Sequence, residues 1–134
     1  LAEARAWIRS EMAWLFEDAR TKGLELGRIV AVAGTATSGV SMREKMVEYD
    51  SSRVHGAMVT LGELAEITDL LCAASLAERE QVVGLDPKRA PVIVAGMLIL
   101  QELLGLAGAL GFTASESDIL QGIVLDAASG RVVL

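Results

Sequence analysis

Gly27-Arg-Ile-Val-Ala-Val-Ala-Gly34-Thr-Ala-Thr-Ser-Gly39 is the stretch whose reading decides the fold. Its first half is a short apolar run between glycines, rich in β-branched residues, and reads as a buried strand. Its second half follows at once, and residues 35–47 read as a helix. A strand feeding a helix through a glycine is an α/β unit. Glycine lets the backbone approach a ligand closely, and the helix start presents unpaired N–H groups with partial positive charge. Thr35, Thr37 and Ser38 add hydroxyls. Gly34, Thr35, Thr37 and Ser38 are therefore candidates for binding a phosphate or another anion. The same residues also fit an ordinary glycine turn with a threonine cap. The sequence has neither a Walker lysine here nor a GxGxxG fingerprint.

Outward from this stretch, residues 1–24 read as an amphipathic helix with Ile8, Met12, Leu15 and Ala19 on one stripe. Asp50-Ser51-Ser52-Arg53 is turn chemistry, and Val54 to Thr60 reads as an edge strand or extended segment. Thr60 with Glu63 and Ser75 with Glu78 are capping boxes that each open a helix. Asp86-Pro87 is a cap and first helical position, from which a long helix is expected to run towards Leu110 and to close at Gly111. Phe112–Ser115 reads as a strand. Ser117 or Asp118 caps a last helix with Ile119, Ile123 and Val124 inward. The tail, residues 130–134, is expected to fray. Short strands alternating with helices imply α/β architecture, a small, mostly parallel sheet covered by helices.

The 134 residues make one domain's worth of chain, and 52% of them are hydrophobic. With glycine counted, the apolar share exceeds the roughly 45–50% of typical domains. This excludes disorder and implies an apolar surface that meets another domain or subunit. Twelve basic against eighteen acidic residues give a net charge of −6. That argues against nonspecific binding to nucleic acid or an anionic membrane. Pro91 to Phe112 is long enough to span a bilayer, but Gln101 and Glu102 at its middle and its glycines favour a packed core helix. The lone Cys72 permits no internal disulfide, which points to the cytoplasm, and it is expected to lie buried and inert on an apolar helix face. The start at Leu1, directly in a helical pattern, reads as a piece of a longer protein without a signal peptide.

His55, the sole histidine, would need a carboxylate or nucleophile partner for catalysis, with Asp50 near in sequence; a structural role is the alternative. Lys88 and Arg89 follow Pro87 at an expected helix start, where basic residues oppose the dipole. That conflict points either to an anion or to a surface pair.

In combination these segments resemble the exopolyphosphatase / guanosine pentaphosphate phosphohydrolase (Ppx/GppA) family. Ile29-Val-Ala-Val-Ala-Gly-Thr-Ala-Thr-Ser38 is similar to the family's strand and Gly-Thr loop. Tyr49-Asp50 and Val54-His55-Gly56 resemble the segment before its capped helix. Leu76-Ala-Glu-Arg79, Gly84-Leu-Asp-Pro-Lys-Arg89 and Val92-Ile-Val-Ala-Gly96 resemble its next helix entry. Thr113-Ala-Ser115 through Gly122-Ile-Val-Leu125 resembles its closing strand and helix. The closing motif departs from the family's Gly-Leu-Arg-Glu-Gly: Leu120 stands for the arginine and Gln121 for the glutamate.

The resemblance implies the second, C-terminal lobe of a two-lobed ribonuclease-H-like fold of the actin-like ATPase superfamily. It implies a parent enzyme that releases terminal phosphate from inorganic polyphosphate or guanosine pentaphosphate, with Mg2+ held mostly by residues outside this chain. No catalytic residue or metal ligand is expected within the chain, which is expected to be inactive alone. Gly34, Thr35, Thr37 and Ser38 would form a phosphate-binding wall, with Arg53, His55, Lys88 and Arg89 along a polyphosphate path. The partners implied are the N-terminal lobe of the same chain and a possible second copy. Other readings stay open: a non-catalytic sensor of a guanosine alarmone or polyphosphate, a lobe of another actin-like ATPase superfamily protein, or an α/β interaction domain with a plain glycine turn.

Overall fold

A computed structural model describes residues 1–130. The expected tail at 131–134 lies outside the described residues.

Helix α1 (Ala2–Thr21) leads through a glycine-punctuated loop to strand β1 (Val30–Val32), which passes directly into α2 (Ala33–Arg43). The short α3 (Ser51–Val54), β2 (Met58–Thr60), α4 (Leu61–Ala73) and α5 (Leu76–Arg79) follow. After a 3-10 turn at Pro87–Arg89 come α6 (Ile93–Ala107), β3 (Gly111–Ser115) and α7 (Ile119–Ala128). The strand order is β1-β3-β2. β1 runs parallel to β3, with Val30 opposite Thr113 and Val32 opposite Ser115. β2 runs antiparallel to β3, with Met58 opposite Thr113. The small sheet is therefore mixed, with the last strand in sequence at its centre.

Local chemistry accounts for most of these boundaries. Both predicted capping boxes form: Thr60 accepts from the Glu63 N–H while Glu63 returns a bond to the Thr60 N–H, and Ser75 and Glu78 do the same. Asp118 caps α7, with Gln121 completing a third box. Asp50 caps α3, so the expected extended segment shortens to Met58–Thr60. The long helix expected from Asp86 is broken. Asp86 caps only the 3-10 turn, and Pro91, which has no N–H, cannot continue the ladder, so α6 starts at Ile93. The helix also ends earlier than expected. Gly108 adopts the left-handed conformation at its C-cap, and Gly111 opens β3. A Cβ at Gly111 would stand 2.3 Å from the Val59 carbonyl oxygen, so only glycine fits that strand pairing.

The core joins Val40, Val54, Val59, Leu64, Leu71, Met97, Leu104 and Phe112, drawn from every layer of the fold. α6 is its pillar, packing against α1, α2 and α4. α1 docks through Ile8 and Phe16, whereas the stripe residue Leu15 is exposed. Cys72 is half-buried rather than buried. Ile119, Ile123 and Val124 of α7, expected inward, face solvent, and no residue of α7 is buried. The sequence marks that apolar stripe but not which body it meets. No helix among the described residues is long and apolar enough to cross a membrane.

Candidate functional site

In a parallel pair, the strand ends that feed helices are where backbone N–H groups converge on a ligand. β1 and β3 present such an end at Val32 and Ser115. β1 turns there into α2 through Ala33, a non-glycine residue with φ +66°. Val32, at the helix cap, supplies no side-chain hydrogen bond to the first turn. The leading N–H groups of α2 thus keep their partial positive charge for another acceptor.

Gly34 sits in that first turn, and the Arg89 guanidinium lies across it. A Cβ at position 34 would stand 1.2 Å from Arg89 Nη1. Two residues far apart in sequence and each singled out for anion binding therefore meet face to face. Arg89 forms no ion pair among the described residues, and neither does Lys88 beside it. Because a 3-10 turn replaces the expected helix start there, the supposed conflict with a helix dipole disappears. Gly84 brings this segment over α2. It has φ +89°, and a Cβ on it would stand 2.2 Å from the Ser41 carbonyl oxygen. A cavity of about 330 Å3 opens beside it, between Met46–Tyr49 and Gly84–Pro87.

Tyr49 and Glu116 complete the cluster. The Tyr49 hydroxyl donates to Glu116 Oε1. Burial and that bond to a carboxylate push the Tyr49 phenol up, while a hydrogen bond with Thr37 and the charge of Arg89 pull the other way. The Thr37 hydroxyl itself donates to the Gly34 carbonyl at 3.4 Å, which places it in the same turn. His55 is here as well: its Nδ1 accepts from the Glu116 backbone N–H at 3.2 Å, which leaves its proton on Nε2. Asp50 is not its partner. That carboxylate is bonded to the Ser52 hydroxyl and N–H at 2.6 and 2.9 Å, and the Ser52 hydroxyl holds it below its ordinary range despite slight desolvation.

The other candidates lie elsewhere. Thr35 is turned to α6, where a Cβ at Gly96 would stand 2.5 Å from its hydroxyl. Ser38 is buried. Arg53 pairs with Glu44 at 2.7 Å, as does Arg43. Hydrogen bonds from Arg43 and then Arg53 hold the Glu44 carboxyl below its ordinary range. That triad lies at the far end of α2, about 15 Å from Gly34 for a helix of this length. Tyr49 and Glu116 were not legible as site residues. The available clue was position: Glu116 directly follows the closing strand, and Tyr49 is the only tyrosine. Among the described residues no three His, Cys, Asp or Glu side chains gather as a metal-ligating group. The residues present do not by themselves fit a metal centre.

No family model matches the chain. It is 34% identical over 129 residues to a bifunctional 3-dehydroquinate synthase/phosphatase of Fusobacterium nucleatum, across 96% of this chain and 18% of that protein. It is 35% identical over 114 residues to exopolyphosphatase 2 of Mycobacterium tuberculosis, across 81% of this chain and 36% of that enzyme. Among solved structures, a Ppx/GppA family member from Aquifex aeolicus superposes with a TM-score of 0.86 at 19% identity, over 99% of this chain and 42% of that one. An exopolyphosphatase-like protein superposes with a TM-score of 0.84 at 25% identity, over 98% of this chain and 43% of that one. The chain thus spans less than half the length of each. Its three-stranded sheet under helices is a lobe of the ribonuclease-H-like, actin-like ATPase class. Within that class, the chain is similar to the Ppx/GppA and exopolyphosphatase-like proteins among those structures.

Proposed function

We propose that this chain is the second, C-terminal lobe of a two-lobed exopolyphosphatase-type phosphohydrolase. Its Gly34–Arg89 end would form one wall of the cleft between lobes. The observation that carries the reading is the meeting of Gly34, Thr37 and an unpaired Arg89 at the carboxyl ends of β1 and β3. Backbone N–H groups and a guanidinium together suit a phosphate oxygen. Lys88, beside Arg89, and His55, beside Glu116, extend the path for a phosphate chain, while Arg53 stays with Glu44. The net charge of −6 works against a polyanion, so binding depends on this local cluster.

The parent enzyme would release terminal phosphate from inorganic polyphosphate, guanosine pentaphosphate or both, in the cytoplasm. Phosphoryl transfer to water needs a positioned water and charge neutralisation of the phosphate. Mg2+ would supply that neutralisation, from ligands outside this chain. The chain's own residues would bind and orient the phosphates, and the chain alone would be inactive. The test is phosphate release from long-chain polyphosphate and from guanosine pentaphosphate by the polypeptide of the complete reading frame. Arg89→Ala is expected to lower kcat/KM by about tenfold to a hundredfold, the weight of one charge-assisted contact. No release by the complete polypeptide overturns the hydrolase reading. Release by the 134-residue chain alone overturns its inactivity.

One observation favours a second reading, a non-catalytic sensor. Gln121 is engaged in capping α7, and Leu120 is exposed, where the family motif carries glutamate and arginine. Tight binding of guanosine pentaphosphate without turnover by the complete polypeptide would select it.

A further inference from the structure

A second cavity, of about 360 Å3, opens where the chain before Gly84 meets the end of α2 and the side of α4. Gly84 approaches the Ser41 carbonyl closely and so brings Val82 and Val83 to this place. α2 supplies Met42, and α4 supplies Ile67 and Leu70, three residues apart and therefore on one face. These five walls are apolar and carry no aromatic ring. The sixth lining residue is Lys45, and no carboxylate lines the cavity.

Lys45 stands at an unusual backbone position. The Met46 N–H donates to the Ser41 carbonyl at 3.0 Å and the Lys45 N–H to the Met42 carbonyl at 3.1 Å. These paired bonds close a helix on a residue in the left-handed conformation, usually a glycine. Here that residue is a lysine, at φ +50°. Holding a side chain there costs free energy, and such costs concentrate at functional sites. Lys45 forms no ion pair among the described residues. Its neighbour Glu44 is taken by Arg43 and Arg53. In a chain of net charge −6, the one charge lining this cavity is thus positive and unpaired. Ligand pockets run from roughly 300 to 1,000 Å3, apolar with a few polar groups that orient the ligand. Aliphatic walls suit an alkyl chain, and a single ammonium suits a single anionic head. We propose that this cavity binds an unbranched medium-chain carboxylate, with its chain against Met42, Ile67, Leu70, Val82 and Val83 and its head on Lys45 Nζ. Met42 lies eight residues beyond Gly34 on α2, about 12 Å along the helix, so the site is separate from the phosphate-binding end. It does not depend on the hydrolase reading.

The test is calorimetric titration of the polypeptide of the complete reading frame with octanoate, decanoate and decylammonium, each below its micellar concentration. Decanoate is expected to saturate one site and to bind about tenfold tighter than octanoate, since each buried methylene contributes about threefold to fourfold. Decylammonium has the same chain and the opposite charge, and is expected to bind at least about tenfold more weakly than decanoate. Lys45→Gln is expected to weaken decanoate by about fivefold to tenfold while leaving the urea midpoint unchanged. Leu70→Glu, at a position 55% exposed, sets a carboxylate beside the ligand and is expected to abolish binding. It also serves should Lys45→Gln fail to fold. No saturable binding of decanoate up to about 10 mM overturns the proposal, including the case in which chain beyond these residues already fills the cavity. Decylammonium binding as tightly as decanoate overturns it too, as does decanoate binding that neither variant alters.

Discussion

Glu102 is 3% exposed in the middle of the most apolar helix. Sequence made it a costly residue there but gave no hint of its partners, because Arg5 and Arg9 lie on a different helix at the other end of the chain. Both guanidinium groups reach it, Arg5 at 2.6 Å. Burial resists its ionisation, and the bonds from Arg9 and then Arg5 overcome that resistance, holding the carboxyl below its ordinary range. A carboxyl with a depressed folded-state pKa contributes stability that is present above its unfolded value and lost as pH falls through the folded one. The hold on α1 is therefore expected to weaken below about pH 4.5, the ordinary value. Acid titration followed by tryptophan fluorescence should show it, since Trp7 and Trp14 both ride on α1. Glu102→Gln is expected to cost about 2–3 kcal/mol in denaturant unfolding, somewhat less than a fully buried pair because both arginines also reach water. Gly34→Ala should behave oppositely. The added Cβ meets only the far end of the Arg89 side chain. Stability should change by under about 1 kcal/mol, while tripolyphosphate affinity, measured calorimetrically, should fall as Arg89 is pushed aside.

Helix starts were the most legible elements, because a capping box is written in residues three apart. Helix ends and breaks were less so: Gly108 and Gly111 are both plausible stops, and only the strand pairing decides between them. The Asp86–Arg89 turn looked like the head of α6, since a proline at a first helical position and a proline that halts a helix differ only in what surrounds them. Gly84 makes this element possible. Its left-handed φ and its contact with the Ser41 backbone leave no room for a side chain. Gly84→Ala is expected to cost about 2–4 kcal/mol, read as a lowered midpoint in urea, and to displace Arg89 with its turn. The stripe on α7 was legible as a pattern, but which way it faced was not, since the sequence of one lobe does not say what lies beyond it.

At the scale of the whole molecule, the alternation of helix and strand was enough to name the architecture. The sheet order was not, because β2 carries no mark of direction in three residues. Of the candidate site, Gly34, Thr37 and Arg89 were chosen separately as candidates, and folding put them together. Tyr49 and Glu116 joined through a side-chain contact that spans 67 positions of the chain. The central position of β3 also has a bearing on how this protein is made. On a ribosome, Val30 and Met58 emerge long before Thr113, the residue with which both must pair. Two valine-bearing strand edges then wait, unsatisfied, for the strand that separates them. The nascent lobe should stay vulnerable to chaperone capture and to aggregation until residue 115 clears the exit tunnel, and a stall before that point should be far more damaging than one after it.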